Sequence, residues 1–278
     1  MTKESFIDGP QGRLRVSSSD GVRADLGLPV VLVHADLGTL HQWDEVRAGL
    51  DEQHTTVAFD RRGHGRSDLP RDGAFSFDAG ADDIRAVADS MKLDRFALIG
   101  HSGGALTAWA FAARNGGRVA GLLLVDPPVD PSTLPRGVIE QTLTAMRGPD
   151  YAQVAEKYYR SIAGTNMPVV ERIVAEARAT PQTTLVGCFE ALRDFDPHRL
   201  AGQYSGPTLS IIQPQNDVKG ALHRLAPGWP HVTISGTGHW IQLDAIDLFL
   251  DHAKQFLAKL PPGNASRQPQ TSGATQTP

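Results

Sequence analysis

Apolar residues come along this chain in short dense runs set between longer stretches of mixed character. Residues 30–33 and 122–125 are unbroken Val and Leu runs, the pattern of strands buried on both faces rather than one. Read with their neighbours, they predict strands at about 13–16, 30–34, 55–59, 95–100, 119–125, 208–212 and 231–234. Amphipathic stretches at about 78–92, 103–115 and 243–259 predict helices covering the sheet, the second closed by Gly116-Gly117 as a C-cap. Strands alternating with helices imply a mostly parallel sheet. From Pro127 to about Gly206 that rhythm stops, and helical segments follow one another at 138–147, 151–162, 169–179 and 182–193. Thr180-Pro181 reads as an N-cap followed by Pro at the first helical position, separating the last two. The segment 261–278, rich in Pro, Gln, Ser, Thr and Gly, reads as a disordered tail.

The chemistry concentrates at Gly100-His101-Ser102-Gly103-Gly104, which lies between the apolar run 96–100 and the helical run 103–114. In that context the pentapeptide is a candidate nucleophile elbow, a sharp strand-to-helix turn that lifts a serine out of the sheet. Small residues two before and two after the serine let the strand and helix backbones pass, and Gly100 and Gly104 supply both. The helix after Ser102 presents its positive end and free N–H groups where a developing oxyanion would form. Near the other end, Gly238-His239-Trp240 follows the run 232–234 and precedes a helical run, so His239 sits on a loop after the last strand. Between them, Asp217 follows the strand 208–212. Alone, Ser102 would be read as a helix N-cap and His239 as a surface histidine; together, in the order serine, acid, histidine, they form a hydrolytic set.

Four segments carry a resemblance to a known family: VVLVHADLG at 30–38, FDRRGHGRSD at 59–68, FALIGHSGG at 96–104 and ISGTGHW at 234–240. With them the chain, over about residues 12–258, resembles the α/β-hydrolase superfamily, in the branch of lidded serine hydrolases typified by small esterases and carbon–carbon bond hydrolases. The resemblance implies a core at 1–126 and 207–260, with a helical lid at 127–206 inserted after the sixth strand of that fold. It also implies a Ser-His-acid triad and no cofactor.

Two positions depart from the family pattern. Where a His-Gly pair is usual, the chain reads His34-Ala35-Asp36. By position the backbone N–H of Asp36 would complete the oxyanion hole with that of Gly103. A carboxylate there works against a site built for negative charge unless it points away, hydrogen-bonds locally or stays protonated. The acid is the second departure: a Gly-x-x-Asp turn is usual after the strand 208–212, but the chain reads Gln213-Pro214-Gln215-Asn216-Asp217. Asp217 is the first candidate, and Asn216 falls on the acid position if the loop differs by one residue. Some relatives place the acid one central strand earlier, which makes Asp126 the alternative, although before Pro127-Pro128 it also reads as a residue that merely ends a strand.

Composition narrows the rest. The 278 residues are 40% hydrophobic, enough for a sizeable single core. A formal charge of −4 provides no electrostatic footprint for nucleic acid or an anionic membrane, so the expected partner is a small-molecule substrate. The single cysteine, Cys188, excludes an intrachain disulfide and reads as a packing residue. No His/Cys spacing resembles a zinc motif; His34, His64, His101 and Asp60 read as scaffold. The start of the chain lacks the apolar core of a signal peptide and no stretch approaches a membrane span, so a cytoplasmic location is expected. Met146, Tyr151, Tyr158, Tyr159, Met167 and Phe189 are candidates for an apolar acyl pocket, and Trp109 for the core. The function expected is hydrolysis of a small uncharged carboxylic ester or lactone. A Ser-dependent carbon–carbon bond hydrolase and a slow or inactive ligand-binding receptor on the same scaffold are the alternatives.

Overall fold

The computed structural model describes residues 2–19, 26–135, 137–225 and 228–261. The expected tail falls almost wholly outside the described residues. Eight strands form one sheet: β1 (Thr2–Asp8), β2 (Arg13–Ser19), β3 (Gly27–Val33), β4 (His54–Phe59), β5 (Phe96–His101), β6 (Val119–Val125), β7 (Thr208–Ile212) and β8 (His231–Thr233). Their order is β1-β2-β4-β3-β5-β6-β7-β8. β1 and β2 run antiparallel to their neighbours, and β4, β3, β5, β6, β7 and β8 are parallel.

The alternation of side chains along the central strands explains the three-layer build. Val31 and Val33 of β3, Leu98 of β5 and Leu122 and Leu124 of β6 pack with Ile84, Val87, Leu106 and Trp109 from α2 (Phe77–Ser90) and α3 (Gly103–Arg114). Val30, Leu32, Ile99, Leu123 and Val125 face the other way, against Val46 and Leu50 of α1 (Asp44–Leu50) and Phe249, Ala253 and Leu257 of α9 (Ile246–Ala258). Both faces of the sheet are therefore apolar, and the runs at 30–33 and 122–125 are buried throughout. Trp109 is core, as its sequence position suggests.

Among the described residues, four α-helices stand between β6 and β7: α4 (Val138–Arg147), α5 (Tyr151–Ile162), α6 (Met167–Ala179) and α7 (Gln182–Arg193). They share a third apolar cluster with Ala35, Leu37, Trp240 and Leu243, so the insertion rests on the loops after β3 and β8.

Several elements differ from expectation. β1 was not foreseen because its residues are mostly exposed and lack a period-two apolar face. The helical run near 243–259 is divided at Ala245 (φ −137°) into α8 (Ile241–Asp244) and α9. α3 ends at Arg114, and Gly116–Arg118 forms a separate short 3-10 turn instead of a C-cap. Pro181 itself takes the N-cap position of α7, while the Thr180 hydroxyl donates back to the Glu176 carbonyl. Among the described residues no helix is long and apolar enough to cross a membrane.

Candidate active site

The loops after β3, β5, β6, β7 and β8 all leave the carboxyl edge of the parallel strands, where open α/β sheets gather ligands. Ser102 follows β5 and stands at the N-cap of α3 with φ 54° and ψ −125°. An N-cap serine normally has β-region backbone, whereas this conformation costs a non-glycine residue about 1–3 kcal/mol. It is held by the Ser102 N–H donated to the Val125 carbonyl at 3.0 Å. The flanking glycines are sterically required: a Cβ on Gly100 would lie 2.4 Å from the Gly104 carbonyl oxygen, and one on Gly104 would lie 2.3 Å from that of His34.

His239 is anchored on three sides. Its N–H donates to the Ile162 carbonyl at 2.9 Å, its carbonyl accepts from His101 Nε2 at 2.9 Å, and its Nδ1 donates to Asp126 Oδ2 at 2.6 Å. The last bond fixes the tautomer, leaving Nε2 as the basic nitrogen. His101 in turn accepts from Gln242 Nε2 at 3.1 Å; burial, and then the neighbouring His239, hold its pKa well below the ordinary histidine value. A neutral His101 thus braces the His239 loop.

Asp126 ends β6, is fully buried and adopts φ 39°. Its Oδ1 accepts from the Gln213 N–H at 3.1 Å and Asn216 Nδ2 at 2.8 Å; its Oδ2 accepts from Gln213 Nε2 at 2.9 Å as well as from His239. A buried carboxylate with four donors is fully satisfied as an anion.

The carboxylate on His239 is therefore Asp126, and the first-ranked candidate from sequence, Asp217, is corrected. Asp217 accepts from Arg224 Nε at 3.0 Å and lies 3.1 Å from His223 Nε2, and the Arg224 hydrogen bond leads in holding its carboxyl below the usual range. The physical reason is the turn after β7. Pro214–Asn216 forms a 3-10 turn that aims Gln213 and Asn216 back at Asp126 and leaves Asp217 beyond it, facing outward. Gln213 and Asn216 thus serve as donors to the acid, roles that sequence reasoning missed because an amide carries no signature of its partner.

Asp36 resolves its apparent conflict locally. Its Oδ1 lies 2.6 Å from Arg61 Nη1, and both side chains are largely buried. The carboxylate packs on Gly103, where a Cβ would meet it at 2.2 Å, so residues 36 and 103 sit side by side at the positive end of α3. Arg61, unremarked in the sequence, supplies the neutralising charge. His34 and Asp60 are scaffold: His34 Nε2 accepts the Arg61 N–H at 2.9 Å, and Asp60 accepts from the Leu40 and Arg66 N–H groups at 2.8 and 2.9 Å.

Ser102, His239 and Asp36 line one cavity of about 240 Å³, walled by Leu134, Tyr158, Tyr159, Phe189 and Leu192 among others. Of the aromatic and Met candidates, Tyr158, Tyr159 and Phe189 reach it. Met146 is buried in the insertion's own core, Tyr151 packs at the edge of that core, and Met167 is exposed. Burial pushes the Tyr158 phenol up to about 12, so that side chain is uncharged at neutral pH. A wider hollow lined by Phe75, Asp78, Glu190 and Arg199 lies apart from these residues. Chemically, a strained serine that shares a cavity with an imidazole oriented by a buried carboxylate is equipped for nucleophilic attack on a carbonyl.

The His239 loop touches the insertion backbone to backbone: a Cβ on Gly238 would lie 2.3 Å from the Ala163 carbonyl oxygen. Gly238→Ala is expected to displace His239 by a fraction of an ångström to an ångström and to lower kcat by about 100-fold. Steady-state kinetics alongside circular dichroism checks this, since the fold should persist.

A family model described as alpha/beta hydrolase fold matches residues 29–246. The chain is 29% identical over 248 residues to N-formylmaleamate deformylase of Pseudomonas putida, covering 83% of this chain and 89% of that protein. It is similar in structure to an enol-lactonase from Burkholderia xenovorans (TM-score 0.80, 20% identity, 92% of this chain and 100% of that one). A thermophilic esterase from Thermogutta terrifontis is comparable (TM-score 0.78, 22% identity, 92% and 98%). At such identities the two solved structures speak to the fold alone.

Proposed function

This chain belongs to the α/β-hydrolase fold family, and on that premise we propose that it is a serine hydrolase cleaving a small, largely uncharged carboxylic ester or lactone through an acyl-enzyme. The observation that carries the reading is the 2.6 Å bond from the buried Asp126 to His239, which lines one cavity with Ser102. In this mechanism Ser102 Oγ attacks the carbonyl carbon as His239 Nε2 takes its proton, and Asp126 stabilises the resulting imidazolium. The N–H groups of Gly103 and Asp36 hold the tetrahedral oxyanion, with Arg61 cancelling the nearby carboxylate charge. His239 returns the proton to the leaving alkoxide; a water, deprotonated by the same nitrogen, then attacks the acyl carbon and releases the acid and free Ser102. The helices α4–α7 act as a lid, their apolar wall suiting an uncharged acyl group.

The test is covalent capture. Wild type treated with a fluorophosphonate should gain one phosphonyl group on the peptide containing Ser102, and p-nitrophenyl butyrate should give a burst of one equivalent of p-nitrophenol. Absence of both in wild type would refute the reading. The substrate panel includes lactones, a vinylogous diketone for carbon–carbon cleavage and, because of the Pseudomonas putida relative, an N-formyl amide.

A further inference from the structure

Three residues far apart in sequence, Asp36, His64 and Cys188, converge beside the cavity, each offering a ligand atom within 4.8 Å of the others. His64 and Cys188 are almost wholly buried, and Asp36 and Cys188 both line the cavity. Two observations make the cluster more than a coincidence of polar groups. His64 Nδ1 donates to the Arg62 carbonyl at 2.8 Å, which fixes the tautomer and turns the lone pair of Nε2 toward Cys188. A backbone carbonyl behind a histidine is the usual outer support of a metal-ligating imidazole. The distance from Cys188 Sγ to His64 Nε2 is 3.7 Å. Tetrahedral bonds of about 2.3 Å to sulfur and about 2.0 Å to nitrogen would separate those atoms by about 3.5 Å.

We propose that Asp36, His64 and Cys188 form a binding site for a thiophilic divalent cation such as Zn²⁺, with its fourth position open to the cavity. The carboxylate keeps one oxygen on Arg61 and gives the other to the cation. Burial raises the Cys188 pKa well above its ordinary value, so in the free protein the sulfur is a neutral thiol and the Asp36 carboxylate balances Arg61; only the thiolate formed on binding leaves the set net negative toward a dication. On binding, the S–H bond of Cys188 breaks, the sulfur lone pair forms the metal–sulfur bond and the proton leaves to solvent. The assignment to a metal site does not rest on the hydrolase reading; only its consequence does, that a cation seated there shares the cavity with the substrate of Ser102.

The test uses Co²⁺ as a spectroscopic stand-in, added to the full chain under reducing conditions. Wild type should develop a thiolate-to-cobalt charge-transfer band that saturates at one equivalent and is bleached by Zn²⁺. Cys188→Ser should lose the band, and Asp36→Asn and His64→Gln should keep the thiol but weaken Co²⁺ affinity at least tenfold. His231→Ala, which disrupts a second group at the surface (Asp217, His223, His231), should leave the band unchanged. Absence of a band in wild type, or unchanged affinity in Asp36→Asn, would overturn the proposal. Asp36→Asn preserves shape, so it stays informative if His64→Gln fails to fold.

Discussion

Replacing Asp126 by Asn is expected to lower kcat for a cleaved ester by about 10⁴-fold, whereas Asp217→Asn should leave it within about twofold. The asymmetry follows from hydrogen bonds. Asp126 accepts from His239, the Gln213 N–H, Gln213 Nε2 and Asn216 Nδ2. An asparagine offers one oxygen in place of two and turns an NH₂ toward at least one of these donors. His239 would then favour the wrong tautomer, and no charge would stabilise its imidazolium. Asp217 is tied to Arg224 and His223 and has no bond to the imidazole. Ser102→Ala should cost about 10⁶-fold, and adding Asp126→Asn to it should cost little more, because residues acting as a unit are not additive. Single-turnover kinetics of the three single variants and the double variant decides the matter; comparable losses in Asp126→Asn and Asp217→Asn would restore Asp217 as the acid.

The fold is expected to lose stability as pH falls from 7.5 to 5.5. Burial, reinforced by neighbouring charges, lowers the pKa of His34 and His101 well below the ordinary value and that of His64 to about 4. Each is bonded as a neutral ring: His34 Nε2 accepts from the Arg61 N–H, His101 accepts from Gln242, and His64 Nε2 faces the Cys188 thiol. In the unfolded chain all three titrate near about 6.5. Below that pH the unfolded state binds more protons than the folded one, so stability falls as pH falls. Between pH 7.5 and 5.5 the loss is about 1.4 kcal/mol for each histidine and about 4 kcal/mol for the three, a fall in Tm on the order of 10 °C. Calorimetry across that window measures it directly. A flat Tm would mean that the rings are protonated in the native state.

What the sequence showed and what it hid follow from the range over which each feature is encoded. β3, β5 and β6 are legible because strands buried on both faces must be apolar at every position, and the elbow because Gly100 and Gly104 are fixed by local collisions. β1 escaped because an edge strand with exposed faces needs no apolar period, and its pairing with β2 is a matter of backbone bonds. The choice between Asp126 and Asp217 was not legible for a different reason. β6 and β7 are adjacent parallel strands, so either carboxyl end lies near the His239 loop, and one 3-10 turn decides which side chain arrives. Asp36 stood out in the sequence, but its counter-ion Arg61 lies 25 residues away and only folding reveals the pair. The convergence of Asp36, His64 and Cys188 has no motif spacing at all.

The bond from His239 to the Ile162 carbonyl ties the proposed general base to the insertion rather than to the sheet alone. For anyone recombining relatives to change their substrate range, the four helices between β6 and β7 are thus not an interchangeable cassette. A transplanted segment brings its own acyl-facing wall, but it must also present a carbonyl where Ile162 has one and leave the backbone of Ala163 and Gly164 free to lie against Gly238. Selectivity and the placement of the base are inherited together.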